Sequence, residues 1–396
     1  MRCYIWITGS SDACHATERL MEANNPLMDI IRLRIREEGP ISFHDFMEMC
    51  LYYPELGYYT NTADKIGAGG DFYTSCCLTP AFGAMVARQL EEIWRVLGKV
   101  DFTIVEYGAG TGMLCRDILA YLKEIPELYE GLRYCIIEIS PTMRNIEQTN
   151  LPEKVSWHNG IEDIDGGVHC VLSNELLDNF PIHQVVMKET PMEVFVDFDG
   201  CFREILVPAS ARIESYFNEM GIELAPGFRT EVNLDAQNWI NNIADRLRSG
   251  FIVTIDYGGC SEELLQERRR CGTLLCYRAH QRSDDPYIHT GQQDITSHVN
   301  FSALMQWGER SGLHSCGLTT QGMFLLALGF KEYLRKVYER QQRDILTMAR
   351  EEAFVSHTLL FDMGQKYKVL VQSKNVEPTV TLKGLSVQPE EGAVAF

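Results

Sequence analysis

The strongest constraint on the fold is an alternation of strand and helix patterns that begins after Gly98. The run DFTIVEYGAGTG predicts a buried strand and a glycine loop, and MLCRDILAYLKEI has the periodicity of a helix. The alternation continues through LRYCIIEIS, PTMRNIEQTNL, VSWHN and GGVHCVLSNELLDNFP. Strands joined by helices connect through right-handed crossovers. The pattern therefore predicts an α/β fold with a mostly parallel sheet and helices on both faces.

The glycine loop limits which ligand this sheet can hold. Glu106 ends an apolar strand, and Gly108, Gly110 and Gly112 let the backbone turn tightly and approach a ligand where a helix begins. A dinucleotide fingerprint requires glycine or alanine at position 113, where this chain has Met113. The order acid-x-Gly-x-Gly-x-Gly instead resembles the first motif of class I S-adenosylmethionine (SAM) methyltransferases. A nicotinamide-dependent dehydrogenase is the disfavoured enzyme alternative.

Acidic residues follow the second and third strands of the pattern. Glu138 ends the second strand, where a carboxylate can accept hydrogen bonds from both hydroxyls of a ribose. Glu162 and Asp163 follow the third strand, where the methyltransferase pattern places an acid for the adenine amino group. Each acid alone is compatible with a structural role. Their order and their spacing at successive βα units favour a SAM site.

A second polar cluster follows the fourth strand. The stretch SNELLDNFP places Asn174, Glu175 and Asp178 at the strand end, where ligands bind in open α/β sheets. The alternative is structural: Ser173 or Asn174 caps a helix whose first turn holds Glu175, and Pro181 ends that helix. The second possibility does not exclude catalysis.

Polar residues beyond the fourth strand leave further alternatives open. Asp256, in TIDYG, ends another predicted strand, and it is compatible both with a role near a methyl acceptor and with hydrogen bonds from the backbone of its own turn. His280, His289 and His298 have spacings that do not place three metal ligands on one face. We therefore predict no metal site and assign these histidines to loop structure or to a substrate-facing position.

Several longer motifs resemble the MidA-like family of class I SAM-dependent methyltransferases, whose mitochondrial members are complex I assembly factors and protein-arginine methyltransferases. The resemblance covers about residues 39 to 373. It implies a Rossmann-like class I methyltransferase fold with an N-terminal helical region and insertions. The motifs that carry it are ISFHDFMEMCLYYPELGYYT, GGDFYTS, VEYGAGTG, IIEISP, SNELLDNFP, IDYGG, GQQDITSHVNFSAL and TQGMFLLALG.

The resemblance also implies roles for individual residues. Glu175 becomes the first candidate for binding a substrate guanidinium, with Asn174, Asp178 and Asp256 as further catalytic candidates. One departure from the family pattern is Cys76-Cys77-Leu78, which stands where small residues, a proline and an acid are usual. The implied cofactor-binding residues are Gly70, Asp71, Thr74, Glu106, Gly108, Ala109, Gly110, Gly112, Glu138, Ile139, Glu162, Asp163 and Asn174.

Carboxylates suit an arginine acceptor for a chemical reason. A guanidinium stays protonated near neutral pH, and its delocalised nitrogens are poor nucleophiles. A carboxylate can pair with it in a bidentate manner, localise positive charge on the nitrogens that do not react, and orient the remaining one. The sequence thus favours methylation of arginine in a partner protein, with S-adenosylhomocysteine (SAH) as product. The alternatives are another nitrogen acceptor, or an assembly factor that uses SAM only structurally.

Composition limits the partners. The chain has 396 residues and a formal net charge of -19, which opposes binding to nucleic acid phosphates or anionic membranes. No apolar run approaches the roughly 20 residues of a membrane span. The 13 cysteines lack zinc-site spacing and predict reduced thiols. Because Asp12 and Glu18 make the first residues unlike a transit peptide, we predict a cytoplasmic protein, and the sequence allows a homodimer.

The same patterns predict the organisation of the chain. Residues 1–25 are expected to be a flexible leader, and residues 26–98 an N-terminal helical region with a loop that covers the cofactor. Residues 99–373 form the predicted methyltransferase domain. Insertions are expected at 182–230, where alternating apolar residues indicate strands, and at 259–298. Residues 374–396 are predicted to be a disordered tail.

Overall fold

The computed structural model describes residues 25–61, 74–152, 154–339 and 345–387, together with the backbone of Ile5–Trp6. Its strands, in chain order, are β1 (Ile5–Trp6), β2 (Ile41–Ser42), β3 (Phe102–Tyr107), β4 (Leu132–Ile137), β5 (Val155–His158), β6 (Cys170–Asn174), β7 (His183–Met187), β8 (Pro191–Phe198), β9 (Phe202–Pro208), β10 (Arg229–Val232), β11 (Gly250–Gly259), β12 (Leu275–Arg278), β13 (Gln281–Ser283), β14 (Asp294–Thr296), β15 (Val299–Asn300), β16 (His314–Thr320) and β17 (Tyr367–Lys374).

The helices are also numbered in chain order. They are α1 (Pro26–Glu38), α2 (Phe43–Tyr52), α3 (Ser75–Leu78), α4 (Pro80–Val96), α5 (Met113–Leu122), α6 (Pro126–Glu130), α7 (Pro141–Asn150), α8 (Ala211–Met220), α9 (Leu234–Arg246), α10 (Ser261–Leu264), α11 (Phe301–Arg310), α12 (Gln321–Ala327), α13 (Phe330–Glu339), α14 (Ile345–His357) and α15 (Met363–Lys366). A π-helical turn, Thr358–Asp362, joins α14 to α15.

An eight-stranded sheet forms the centre of the molecule: seven strands follow the order β5-β4-β3-β6-β11-β17-β16, and β15 pairs with the end of β11. The first five of these strands are parallel to one another, and β17 pairs antiparallel with both β11 and β16. Alternate strand residues pack into two separate cores, with Ile104 in one and Val105 in the other. Because each face is covered by helices, the predicted Rossmann-like α/β fold is confirmed.

The order of the strands brings three polar strand ends together. β6 lies between β3 and β11, with Tyr107 opposite Ser173 and Asn174 opposite Ile255. The glycine loop, SNELLDNFP and Asp256 therefore meet at one edge of the sheet. This edge is formed by the carboxyl ends of the parallel strands, where ligands bind in such sheets.

Two smaller sheets lie outside the central one. Residues 182–230 contain β7 to β9 and the start of β10, and these four strands form an antiparallel sheet with β1 and β2. The side chains of this sheet pack on α1 and α2 through a third apolar core. Residues 259–298 contain the antiparallel sheet β13-β12-β14, with Tyr277 opposite Asp294.

The end of the described chain differs from the predicted disordered tail. Leu382 is fully buried and Leu385 nearly so. The backbone N–H groups of Lys383 and Gly384 donate to Glu92 and Gln89 on α4. These apolar contacts and hydrogen bonds hold residues 375–387 against α4, so the prediction is wrong for this part of the tail. Most of the predicted leader, residues 1–25, lies outside the described residues.

The structure was also searched for membrane-spanning helices. Within the described residues, no helix is both long and apolar enough to cross a membrane.

Candidate active site

A cavity of about 1040 Å³ opens at the carboxyl edge of the central sheet. Its wall combines the loops after β3, β4, β5 and β6 with residues of the N-terminal region and of β14. A volume of this size is large enough for a nucleoside-sized ligand beside an entering side chain.

The glycine loop forms one side of this cavity. Gly108, Gly110 and Gly112 have positive φ angles of 63°, 60° and 79°, which side chains rarely tolerate. A Cβ atom on Gly108 would lie 2.9 Å from Leu176 Cδ1. Gly108, Ala109 and Gly110 line the cavity, and Gly112 precedes α5. The loop therefore exposes backbone to a ligand at the start of a helix.

Two predicted acids lie beside the loop. Glu106 is buried and accepts a hydrogen bond from Tyr134 Oη at 2.7 Å, and burial raises the pKa of its carboxyl to about 7. Glu138 is also buried, with one carboxylate oxygen 2.6 Å from the backbone nitrogen of Ser140. Burial raises the Glu138 pKa as well. Both line the cavity, as does Ile139, whose side chain is 67% exposed.

The two acids after the third strand, Glu162 and Asp163, make different contacts. Glu162 lines the cavity with Asn159 and Gly160. The Asp163 carboxylate instead accepts hydrogen bonds from the backbone N–H groups of Asn159 and Gly160. The structure thus gives Asp163 a capping contact and leaves Glu162 as the acid of this pair that faces the cavity.

The predicted residues of the N-terminal loop are only partly described. Thr74 lines the cavity and is buried. Gly70 and Asp71 lie outside the described residues. The end of α2 and the aromatic loop after it also contribute, because Tyr52 and Tyr59 line the cavity and stack with ring centroids 5.7 Å apart.

Glu175 occupies a strained position at the end of β6. Its φ of 53° is in the left-handed region, which is unfavourable for a residue with a side chain and often marks functional sites. One carboxylate oxygen accepts from the backbone N–H of Ser75 at 3.2 Å, and the other accepts from Tyr367 Oη at 2.9 Å. The turn therefore aims a half-buried carboxylate into the cavity.

Asp178 and Asn174 add acceptors to the same wall. Tyr257 Oη donates to Asp178 Oδ2. Asp178 Oδ1 and Asn174 Oδ1 are buried and have no hydrogen-bond partner among the described residues. An unpaired buried acceptor is costly, so these two atoms are suited to a donor that enters the cavity.

The helix-cap alternative for this stretch is wrong. Glu175 leaves the strand in the left-handed conformation, and the following turn is a 3-10 helix, Leu177–Asn179. Its N-cap is Leu176, which makes no side-chain cap. Asn174 instead donates to Glu175 Oε1 at 3.3 Å.

Asp256 hydrogen-bonds to the turn that follows β6 and does not line the cavity. Its Oδ2 accepts from the backbone N–H groups of Leu176 and Leu177 at 3.1 and 2.9 Å, and its Oδ1 accepts from that of Tyr257. Burial raises the pKa of this carboxyl well above its usual value. Backbone N–H groups thus satisfy this acid, as in the structural alternative, but two of the three belong to the turn after β6 and give Asp256 a positioning role for SNELLDNFP.

Sequence reasoning missed a third carboxyl of the site. Asp294 begins β14, lines the cavity and accepts from Tyr59 Oη at 3.0 Å and from Asn179 Nδ2 at 3.1 Å. It lies within the motif GQQDITSHVNFSAL, which was recognised without a role for this residue. The strand-end rule could not find it, because Asp294 starts a strand of a separate small sheet.

Three carboxyls of the cavity thus each accept from one tyrosine: Glu175 from Tyr367, Asp178 from Tyr257 and Asp294 from Tyr59. Burial, with the Asp178 charge as second cause, raises the pKa of Glu175 to about 8 and that of Asp294 to about 8. Burial raises the Asp178 pKa too. We call these three carboxyls, Glu175, Asp178 and Asp294, the acidic cluster. Its charge is unfavourable until a cation binds.

Of the three histidines considered above, His298 lines the cavity. Arg269 Nη1 donates to His298 Nδ1 at 2.8 Å, so the ring carries its proton on Nε2. Burial and the Arg269 charge lower the His298 pKa to about 4. The imidazole is therefore neutral at physiological pH and does not compete as a cation for the acidic cluster.

Comparison with known proteins shows which protein family the chain resembles. Residues 85–319 match a family model described as "Putative S-adenosyl-L-methionine-dependent methyltransferase". A crystal structure from Burkholderia thailandensis, bound to S-adenosylhomocysteine, is 28% identical in sequence. It covers 97% of this chain and 98% of its own, with a TM-score of 0.81.

Curated relatives extend the comparison to animals. The protein arginine methyltransferase NDUFAF7 homolog of Drosophila melanogaster, a mitochondrial protein, is 28% identical over 78% of this chain and 76% of its own length. The mitochondrial protein arginine methyltransferase NDUFAF7 of Homo sapiens is 25% identical over 87% of this chain and 83% of its own.

These relatives correct one prediction from the sequence. The prediction of a cytoplasmic protein is wrong, because the related arginine methyltransferases are mitochondrial. That prediction used acidic residues near the start of the chain and reduced thiols. Reduced thiols do not distinguish one thiol-reducing compartment from another.

Proposed function

The chain belongs to the family of S-adenosyl-L-methionine-dependent methyltransferases, and from this premise we propose that it methylates an arginine side chain of a partner protein. The observation that supports the arginine most is the pair of unpartnered buried acceptors, Asp178 Oδ1 and Asn174 Oδ1, beside the half-buried Glu175. A guanidinium has five N–H donors in a planar fork and can serve several such acceptors at once. The relatives named as arginine methyltransferases support the same acceptor.

The residues around the glycine loop fit the cofactor. Left-handed glycines at 108, 110 and 112 keep side chains away from the approach to the backbone. Glu138 and Glu162 line the adjoining walls as candidate partners for the ribose hydroxyls and the adenine amino group. We propose this part of the cavity as the SAM site, with Glu106, Ala109, Ile139 and Thr74 completing its wall.

The acidic cluster would act mainly by orientation and charge. When bound, SAM supplies an electrophilic methyl group. Glu175 is held by Ser75 and Tyr367, so its carboxylate is fixed before a substrate enters. Carboxylates on one side of a guanidinium draw positive charge to the nitrogens they contact and leave the remaining nitrogen free to attack. Alignment of the reacting groups alone can lower a barrier by about 7–11 kcal/mol.

A lysine or a small amine is the second nitrogen acceptor to consider. One ammonium presents three donors around a single point, whereas the acceptors here are spread over Glu175, Asp178, Asp294 and Asn174. This spread favours a planar, multi-donor cation. Arginine in a protein therefore remains our proposal over a free amine.

The proposal is tested by transfer of tritiated methyl groups from SAM into proteins of a lysate from cells that lack this gene. We expect a labelled protein band with the wild-type chain and a loss of roughly a hundredfold or more with Glu175→Gln. The matched control is Glu223→Gln, which changes an exposed glutamate of the 182–230 segment and should leave labelling unchanged.

Calorimetry separates catalysis from cofactor binding in the same variants. SAH should bind Glu175→Gln about as tightly as it binds the wild type, because Glu175 is assigned to the acceptor. Full labelling by Glu175→Gln would remove this residue from the mechanism. Cofactor binding without any labelled product would favour a non-catalytic assembly factor.

A further inference from the structure

Cys76 and Cys77 are the two adjacent cysteines of the sequence. They lie on the four-residue helix α3, and both are partly exposed. Thr74 Oγ1 is 3.0 Å from Cys76 Sγ and 3.2 Å from Cys77 Sγ. A single hydroxyl thus holds both sulfur atoms on the same side of a short helix.

This pair lies between the two halves of the active site. Cys76 lines the cavity, and the neighbouring Ser75 donates its backbone N–H to Glu175 Oε1. Cys77 Sγ is 3.9 Å from the sulfur of Met113, the first residue of the helix that follows the glycine loop. A change at α3 would therefore reach both the methyl-acceptor wall and the cofactor loop.

Two thiols held this close can bind one soft atom through both sulfurs. We propose that Cys76 and Cys77 form a dithiol site for trivalent arsenicals, and that its occupation stops methyl transfer. With an arsine oxide, two S–H bonds break and two As–S bonds form. The arsenic oxygen leaves as water with both protons, and arsenic stays trivalent. Binding does not depend on the proposed function, whereas the effect on methyl transfer rests on it.

The surroundings favour reaction at this pair. A hydrogen bond from Cys76 lowers the pKa of the Cys77 thiol, which increases the share of the nucleophilic thiolate. Cys50 and Cys276 are both buried and shielded from reagents. Cys201 and Cys271 are exposed but far apart in sequence, so we expect them to bind arsenic through one sulfur each.

The test uses phenylarsine oxide and the intact mass of the full chain. We expect one adduct per chain that survives excess glutathione, a monothiol, and that 2,3-dimercaptopropanol removes. Peptide mapping of the wild-type protein should place it on the peptide with Cys76 and Cys77. An adduct at other cysteines, or none that survives glutathione, would overturn the site, and this result does not require any variant to fold.

Variants and turnover complete the test. Cys76→Ser and Cys77→Ser should each lose the glutathione-resistant adduct, whereas a Cys201→Ser/Cys271→Ser double variant should keep it. The reagent should lower wild-type labelling by about a hundredfold, the loss expected when reacting groups are displaced by about 1 Å. It should not change the residual labelling by Cys77→Ser. Adduct formation with full activity would contradict the proposed inhibition of methyl transfer by the bound arsenical. Absence of labelling before treatment would instead contradict the proposed function.

Discussion

At the scale of single residues, the active site depends on where each carboxylate directs its oxygens. The carboxylates of Glu175 and Asp178 line the cavity. The Asp256 carboxylate instead accepts hydrogen bonds from the backbone of the turn between those two residues. All three stand at predicted strand ends and look equivalent in the sequence, although Asp256 lies within β11 in the structure. The strand-end rule could therefore predict the neighbourhood, but only the hydrogen bonds separate an acid that faces a ligand from one that supports a loop.

Asp294 gives a first prediction. Asp294→Asn keeps the shape of the side chain but removes one charge from the acidic cluster. Loss of a charged hydrogen bond of about 1.5–3 kcal/mol should raise KM for the protein substrate by roughly tenfold or more. SAH affinity should not change. The control is Asp199→Asn, an exposed acid of the β8–β9 hairpin, and an unchanged KM in Asp294→Asn would exclude contact with the acceptor.

Asp256 should behave as a positioning residue. Asp256→Asn would turn an amide N–H₂ toward backbone N–H groups of Leu176, Leu177 or Tyr257. The unsatisfied donors should cost about 1–3 kcal/mol of unfolding free energy, measured by urea denaturation. We expect kcat to fall through the displaced turn while SAH binding persists. Wild-type stability with selective loss of kcat would instead indicate direct catalysis.

At the scale of elements, the glycine loop and its flanking strand and helix were predictable from the sequence. The continuous apolar run of β3 and the glycines before α5 are local signals that tertiary packing reinforces. The contribution of β14 was not predictable, because no local pattern states which loop will cover a sheet edge. Tyr367 was missed for a similar reason, since it starts the antiparallel strand that pairs with β11.

The loop gives a matched pair of glycine variants. Gly108→Ala forces a side chain at φ 63° and places its Cβ 2.9 Å from Leu176 Cδ1. Because the Gly108 loop lines the cavity, a backbone shift that relieves strain of about 1–3 kcal/mol should weaken SAH binding by roughly tenfold, as measured by calorimetry. Gly221→Ala has the same strain at φ 62° and meets no described atom within 4 Å. Equal SAH affinities for the two variants would argue against backbone approach at Gly108.

At the scale of the whole molecule, the acidic cluster is assembled from segments far apart in the chain. Its members come from the loop after β6 and from β14, and their tyrosine donors come from the N-terminal region, β11 and β17. The predicted boundaries at residues 26–98 and 99–373 therefore separate parts that share one site. A homodimer stays a prediction, which sedimentation velocity would test.

The cluster should make the reaction depend on pH. Glu175 and Asp294 have pKa values of about 8, and a guanidinium binds their deprotonated forms while keeping its own charge. We expect kcat/KM to rise with pH from about 6.5 and to level off above about 8.5. Asp294→Asn should make the rise shallower. A profile that falls over this range would contradict cation binding by the cluster.

The same shifts have a consequence for stability. Because the folded pKa values lie above those of unfolded carboxyls, the folded protein binds these protons more tightly. The stability this contributes is complete below about pH 4 and is lost as pH rises through about 8. The melting temperature of the substrate-free wild type should therefore fall from pH 6 to pH 9, and it should fall less in Asp294→Asn.

The C-terminal segment tests packing across the chain. Leu382→Ala removes a fully buried side chain beside α4 and should cost about 2–5 kcal/mol of unfolding free energy. Leu346→Ala changes a side chain that is 69% exposed and should cost little. Denaturation curves of both variants compare the two sites directly. Equal stabilities of the two variants would support the prediction from the sequence that this segment is disordered.

The identity of the methylated residue tests the central claim most directly. Protein labelled with tritiated SAM and the wild-type chain is hydrolysed with acid, and the amino acids are separated beside methylarginine and methyllysine standards. The acidic cluster predicts that the label elutes with methylarginine. Label that elutes with methyllysine, or that stays with a small amine or RNA, would contradict the assignment of Glu175, Asp178 and Asp294 to a guanidinium.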